Sequence, residues 1–216
     1  TRACAAGGVT TSVAMPNVYP PPINTERLES MFELYRQKAV VDWNVNPAGT
    51  QLEEVKPMAA MGVPSMKIFM VVDTGRDYPH MPGIGVHDHG RLMAVMEACA
   101  AADIPLMIHP HDQSLMTYIE EAYWARGERD ALSYARAYAE KDGLIWETAI
   151  AFLLRLAEAT GVHLHILHVQ TKGSVELIRD AKARGVNVTC EINPWAIFLG
   201  NDWKNIERLG SYALSY

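Results

Sequence analysis

Short apolar runs of strand length alternate with longer amphipathic segments along most of the 216-residue chain. The short runs are rich in Val, Ile and Thr, and glycine or proline clusters follow several of them. The longer segments repeat apolar residues at helical spacing, as Leu28, Met31 and Phe32 do. The pattern predicts six strands, over residues 9–15, 39–45, 65–70, 105–109, 164–168 and 186–192.

Helices are predicted between and after these strands. The length of the helical connections indicates how neighbouring strands pair, and therefore which fold class is expected. Asn24 or Thr25 is a good N-cap for the first of them, and Gly127 breaks the fourth into two pieces. Connections of this length suit parallel strands, and no G-x-G-x-x-G sequence follows any strand. We therefore expect an α/β fold in which residues 1–216 supply an incomplete (β/α)8 TIM barrel of about six βα units. The predicted helices cover residues 25–38, 52–61, 91–102, 113–139, 144–160 and 174–184.

Three segments lie outside this alternation. Residues 72–90 are rich in Gly, Pro, His and Asp and are predicted to form a lid or binding loop. The first eight residues are typical of the last helical turn before a glycine stop. The pattern loosens after Trp195, so we expect the chain to be the central part of a larger barrel.

Composition excludes several classes of protein. Hydrophobic residues make up 49% and charged residues 20% of the chain, as in globular α/β proteins. The formal net charge is -6 without any basic run, which argues against a nucleic-acid partner or an anionic membrane surface. No apolar segment is long enough to predict a transmembrane helix. Three widely spaced cysteines without a C-x-x-C predict free thiols and a cytoplasmic location.

Lys67 lies inside an apolar strand, which is an unusual place for a lysine. Strand alternation puts it on one face with Ser65 and Phe69. Burial of an unpaired ammonium is costly and lowers the pKa of the amine. The alternative is a strand-end lysine that reaches solvent or pairs with Asp42 or Asp73.

Two histidines strengthen the functional interpretation of this lysine. His109 and His168 come near the ends of the next two apolar runs, where barrel enzymes build their sites. Alternation predicts that His168 shares an inward face with Leu164 and Ile166. A lone histidine there is more often structural, whereas two with a lysine predict a site for zinc or a similar ion.

The remaining histidines give weaker signals. His163 and His165 are predicted to face the surrounding helices and to be structural, because they alternate with His168. His87 and His89 are expected to cap or solvate the next helix. His111 could be a ligand or a loop residue.

Several motifs, in the same order throughout, resemble the cyclic amidohydrolases of the dihydroorotase, allantoinase and hydantoinase group. The resemblance covers nearly the whole chain. Its motifs are Ala6-Gly7-Gly8-Val9-Thr10-Thr11, Met15-Pro16-Asn17, Pro20-Pro21, Lys67-Ile68-Phe69-Met70, Ile108-His109, Ile166-Leu167-His168-Val169, Ser174-Val175-Glu176-Leu177-Ile178 and Val188-Thr189-Cys190-Glu191-Ile192-Asn193-Pro194.

The resemblance implies a metal-dependent hydrolase that opens a cyclic amide or ureide. In such enzymes carbon dioxide carbamylates the lysine, which bridges two divalent ions, and two histidines bind the second ion. Lys67, His109 and His168 match these positions, with zinc as the expected metal. A hydroxide held by the ions attacks the ring carbonyl. The resemblance further implies substrate contacts from Asn17 and Asn193 and a homo-oligomer, either dimer or tetramer.

Departures from the family pattern leave the substrate open. The first-strand His-x-His and the catalytic aspartate would lie before Thr1 and after Tyr216. The hydantoinase tyrosine after the lysine is replaced by Met70-Val71-Val72, while Met15-Pro16-Asn17 favours the dihydroorotase or allantoinase side. Trp195 stands where dihydroorotase-like sequences often have histidine.

Two other functions compete with hydrolysis. One is a metal-free homologue that acts as a scaffold or assembly subunit, although a scaffold has no physical need for the lysine and two histidines. The other is a phosphate-binding barrel enzyme. Against it, this sequence has no glycine-rich phosphate-binding loop after a late strand.

Overall fold

The computed structural model describes residues 1–70, 83–199, 202–210 and 212. All six predicted strands are present in shorter form: β1 Thr11–Ala14, β2 Asp42–Val45, β3 Met66–Phe69, β4 Leu106–His109, β5 Leu164–Ile166 and β6 Val188–Cys190. The helices are α1 Arg2–Ala6, α2 Thr25–Lys38, α3 Leu52–Ala60, α4 His89–Ala101, α5 Gln113–Ala125, α6 Ala131–Tyr138, α7 Glu140–Thr160, α8 Lys172–Ala183, α9 Pro194–Leu199 and α10 Trp203–Leu209.

The strands pair in chain order, and every pairing is parallel. β1 pairs with β2, and β3 to β6 form a four-stranded sheet. A bridge between Ala48 and Lys67 links the two sheets, and the Lys67 N–H donates to the Pro47 carbonyl at 2.8 Å. Six parallel strands in series, each followed by a helix, are consecutive units of a (β/α)8 barrel, which confirms the predicted fold class.

One face of the larger sheet packs against the helices and forms the main core. The register aligns residues of the four strands in rows across the sheet. Two rows, one starting at Met66 and one at Ile68, consist of apolar side chains. Helices α4, α7 and α8 cover these rows with Leu, Ile, Val and Met. The core-forming strand residues are Met66, Ile68, Leu106, Ile108, Leu164, Ile166 and Val188.

The opposite face looks into the barrel and carries polar residues. One row on this face contains Lys67, Met107, His165 and Thr189. The prediction that His165 faces the helices is therefore wrong.

The error in the prediction arises at the end of β5. This strand ends at Ile166, and His168 has a left-handed backbone with φ 55°. Strand alternation does not extend to His168, so counting back from it assigned the wrong faces. Leu164 and Ile166 belong to the helix-facing core, and His163, like His165, lies against Thr189 of the neighbouring strand.

Most helix boundaries follow the local signals in the sequence. Asn24 caps α2, its side chain accepting the N–H of Arg27 at 3.0 Å. Gly127, with φ 79°, follows α5 and separates it from α6. Regular helix in α7 begins at Leu144, as predicted, because residues 141–143 have left-handed backbone. No helix in the described part of the chain could cross a membrane.

Two segments depart from the expected pattern. Helices α9 and α10, of six and seven residues, were not predicted because such short helices show little periodicity. Residues 71–82 of the predicted lid or binding loop lie outside the described residues. After them, Gly85 bridges to Phe69, and Asp88 caps α4.

The helix-facing core should account for much of the stability. Ile108 is fully buried in the middle of the sheet, whereas Ile197 is 66% exposed. We expect Ile108→Ala to lower the free energy of unfolding by about 2–5 kcal/mol through lost burial and a cavity. Ile197→Ala, the same chemical change, should alter it by less than about 0.5 kcal/mol. Urea unfolding of both variants measures the difference, and equal losses would contradict this packing.

Candidate active site

Lys67 projects from β3 into the inner face and is only 1% exposed. Its Nζ donates to the Ile68 carbonyl at 3.0 Å and lies 3.8 Å from the centroid of the Phe69 ring. Burial lowers the pKa of the amine well below its ordinary value, and attraction to Glu191 opposes this only in part. The environment therefore disfavours the charged ammonium form of Lys67.

The geometry excludes two of the three alternative interpretations of Lys67 and does not test the third. A side chain this buried does not reach solvent. Asp42 lies at the exposed start of β2, six residues before the Ala48 bridge to Lys67, which is about 20 Å along an extended chain. Asp73 lies outside the described residues.

His109, the last residue of β4, lies beside this lysine. Its ring centroid is 5.7 Å from that of Phe69 and 5.3 Å from that of His168. Burial is the main cause that lowers the pKa of His109 well below its usual value, and repulsion from the ammonium form of Lys67 would add to it. The imidazole is thus held neutral, the form that binds metal ions.

His168 reaches the same place from the turn after β5. Burial lowers its pKa as well, followed by repulsion from Lys67, while Glu191 acts in the opposite direction. The structure therefore brings Lys67, His109 and His168 together, as predicted. No cluster of three or more His, Cys, Asp or Glu side chains suitable for a metal occurs in the described ranges. The side chains that lie together here are two imidazoles and one lysine amine.

The two predicted substrate contacts lie on loops. Asn17 is half-buried three residues after β1, and Asn193 is half-buried three residues after β6. Both loops leave the carboxyl ends of their strands, the end at which His109 lies. Their roles stay predictions.

An aromatic wall packs against His109 and was missed from the sequence. The ring of Trp146 meets His109 edge-on, with centroids 5.5 Å apart and planes at 64°. Tyr138 lies 5.6 Å from Trp146, and Tyr134 lies 4.7 Å from Tyr138. The wall comes from α6 and α7, and its place over β4 depends on tertiary packing that no local pattern encodes.

A polar column on the inner face was also missed. The Thr189 hydroxyl lies 3.1 Å from His163 Nε2 and 2.8 Å from His165 Nδ1. The Glu191 carboxylate lies 3.6 Å from His165 Nε2 and 3.8 Å from His168 Nδ1. The signal in the sequence is two pairs of polar residues at a spacing of two, His163 with His165 and Thr189 with Glu191. That the two pairs lie side by side follows only from the strand register, which the sequence does not reveal.

His111 is buried in the aromatic wall without a hydrogen-bond partner. It is 2% exposed, its ring lies 5.6 Å from that of Tyr138, and neither ring nitrogen is paired within the described part of the chain. Burial lowers the pKa of His111 to about 4.

This buried imidazole should make stability depend on pH. Because protonation of His111 is easier in the unfolded chain, stability present above pH 6.5 should be lost as pH falls towards about 4. We expect His111→Leu to remove on the order of 3 kcal/mol from this acid dependence. Chemical denaturation from pH 7 to 4 measures it, with exposed His87→Leu as control. Parallel acid profiles for wild type and His111→Leu would contradict the assignment.

Comparison with known proteins gives relatives in both sequence and structure. No protein-family model matches the chain. Dihydroorotases from Lactiplantibacillus plantarum and Shouchella clausii are 34% identical over 208 residues and 31% identical over 210 residues. These alignments cover 92% and 94% of this chain but 43% and 44% of the relatives. The chain therefore spans less than half the length of these relatives.

The solved structures agree with the sequence comparison. The L-hydantoinase (dihydropyrimidinase) from Arthrobacter aurescens superposes with a TM-score of 0.86 at 25% identity, covering 98% of this chain and 45% of that protein. A D-hydantoinase structure gives a TM-score of 0.75 at 22% identity, over 95% of this chain and 43% of the other. Over nearly its whole length, the chain is therefore similar in sequence to dihydroorotases and in fold to hydantoinases, members of the cyclic amidohydrolase group.

Proposed function

We propose that the full-length protein is a metal-dependent hydrolase that opens a cyclic amide or ureide ring. The observation that carries this proposal is the desolvated amine of Lys67 beside the neutral imidazoles of His109 and His168. Three neighbouring parallel strands deliver them to one face, and the carboxyl ends of barrel strands are where active sites form.

Carbon dioxide is the reactant that suits a neutral buried lysine. The Nζ lone pair of Lys67 forms a bond to the carbon, one C=O electron pair moves onto oxygen, and an N–H proton leaves to solvent. The product is a carbamate anion, which has two oxygen ligands in place of the amine. A buried ammonium is costly here, whereas an anion between cations is stabilised.

The residues present suit a pair of divalent ions, with zinc as the first expectation. The Lys67 carbamate would hold both ions, and His109 and His168 would hold one of them. When bound, the ions supply Lewis acidity that polarises a ring carbonyl and lowers the pKa of water. Three donors do not complete two coordination shells, so we propose that the other ligands and the general base come from outside residues 1–216.

The surrounding residues would position the substrate and limit water. Phe69 and Trp146 shield the Lys67 amine and the His109 ring with apolar surface. We assign Asn17 and Asn193 to hydrogen bonds with polar groups of the ring. The named relatives are dihydroorotases and hydantoinases, so the proposed substrate is a ring of dihydroorotase, allantoinase or hydantoinase type. A cytoplasmic homo-oligomer remains part of the proposal.

Metal content is the direct test of this proposal. We expect full-length protein purified with bicarbonate to contain about two divalent ions per chain by elemental analysis. Lys67→Ala should lose most of this metal and most hydrolysis of cyclic ureides, because the bridging carbamate cannot form. Lys172→Ala, which removes a 90% exposed lysine, serves as control and should keep both.

Two results would count against the hydrolase. Absence of metal from both wild type and Lys67→Ala would favour the non-catalytic scaffold. Full metal content and full activity in Lys67→Ala would remove this lysine from the site.

A further inference from the structure

The inner face of the sheet carries a continuous polar column beside the candidate metal site. It runs from His163 through Thr189 and His165 to Glu191, and ends at His168. The interiors of small barrels are usually filled with branched apolar side chains. A polar column in a barrel interior is unusual, which suggests that its residues have a functional role.

The chemistry of Glu191 decides where two imidazole hydrogens lie. An ionised carboxylate accepts hydrogen bonds and cannot donate them. Its oxygens lie 3.6 Å from His165 Nε2 and 3.8 Å from His168 Nδ1, which is beyond direct hydrogen-bond distance but close enough for electrostatic attraction to an N–H group. A carboxylate repels a ring lone pair and attracts an N–H, so this arrangement favours hydrogen on the nitrogen of each ring that faces Glu191.

The rest of the column follows from this choice. When hydrogen lies only on Nε2 of His165, Nδ1 is an acceptor, and the Thr189 hydroxyl donates to it at 2.8 Å. The Thr189 oxygen is then free to accept from His163 Nε2, 3.1 Å away. The donors from His163, Thr189 and His165 then point towards Glu191 from one side, and that of His168 points towards it from the other.

We propose that this column fixes the tautomer of His168, with hydrogen on Nδ1 and the lone pair on Nε2 for a divalent ion. Glu191 acts as the positioning residue, and Thr189 and His165 hold Glu191 in its accepting role. His168 lies just beyond β5 with a left-handed backbone, and the Val169 N–H donates to the Glu191 carbonyl at 2.9 Å, which keeps Glu191 beside this turn. The inference rests on the proposed metal function of His168.

Glu191→Gln is the sharpest test, because a carboxamide has one accepting oxygen and one donating nitrogen. The two carboxylate oxygens face different rings, so in Glu191→Gln one ring faces an NH2 donor, which favours the opposite tautomer of that ring. We expect ¹H–¹⁵N correlation spectra of the metal-free full-length protein to show His168 protonated on Nδ1 in wild type and redistributed in Glu191→Gln. Zinc affinity, measured by chelator competition, should fall about 10–100-fold in this variant.

Glu176→Gln provides the matched control. Glu176 is a 53% exposed residue of α8 that pairs with Lys172 at 3.5 Å. We expect this variant to retain both the wild-type His168 tautomer and the wild-type zinc affinity.

Thr189 tests the column one step further away. Thr189→Val removes the hydroxyl at nearly constant size, and we expect zinc affinity to fall about fivefold, equivalent to one lost hydrogen bond. Thr189→Ser retains the hydroxyl and should restore wild-type affinity and the wild-type His165 tautomer.

The outcomes separate this inference from the hydrolase proposal. If wild type binds zinc but Glu191→Gln binds it equally well, or if wild-type His168 carries hydrogen on Nε2, the positioning role is wrong and the hydrolase proposal stands. If wild type binds no zinc, the metal function fails, and with it the purpose assigned to the column.

Discussion

The burial of the Lys67 amine is the constraint on which the account of the site depends. Removing an ammonium from water costs several kcal/mol unless a charge partner compensates. Here the amine contacts the Ile68 carbonyl and the Phe69 ring, and attraction to Glu191 is weaker than desolvation. The environment therefore disfavours the ammonium form, and the proposed reaction with carbon dioxide would replace this unfavourable cation by a carbamate.

The two faces of the four-stranded sheet have different roles, one in stability and one at the candidate active site. The face with Ile68, Ile108 and Ile166 packs on the helices and supplies stability. The opposite face is free to hold polar groups whose pKa values and tautomers depend on one another. Lys67 lowers the pKa of both His109 and His168, and Glu191 opposes this effect at His168. The chemistry of the site is thus coupled across neighbouring strands.

Local signals in the sequence were sufficient for much of the fold and for singling out Lys67, His109 and His168, which the structure brings together. Apolar runs located the strands, Asn24 and Gly127 marked helix boundaries, and unusual polar residues at strand ends identified Lys67 and His109. The faces of β5 were predicted wrongly, because the left-handed backbone of His168 breaks the alternation. The roles of Trp146 and Glu191 depend on helix packing and strand register, which one sequence does not reveal.

The central claim is that Lys67 carries a carbamate, and ¹³C NMR of the full-length protein in ¹³C-bicarbonate tests it most directly. The account predicts a protein-bound carbamate resonance in wild type that persists in Lys172→Ala and disappears in Lys67→Ala. No such resonance in metal-loaded wild-type protein, or an unchanged resonance in Lys67→Ala, would contradict it.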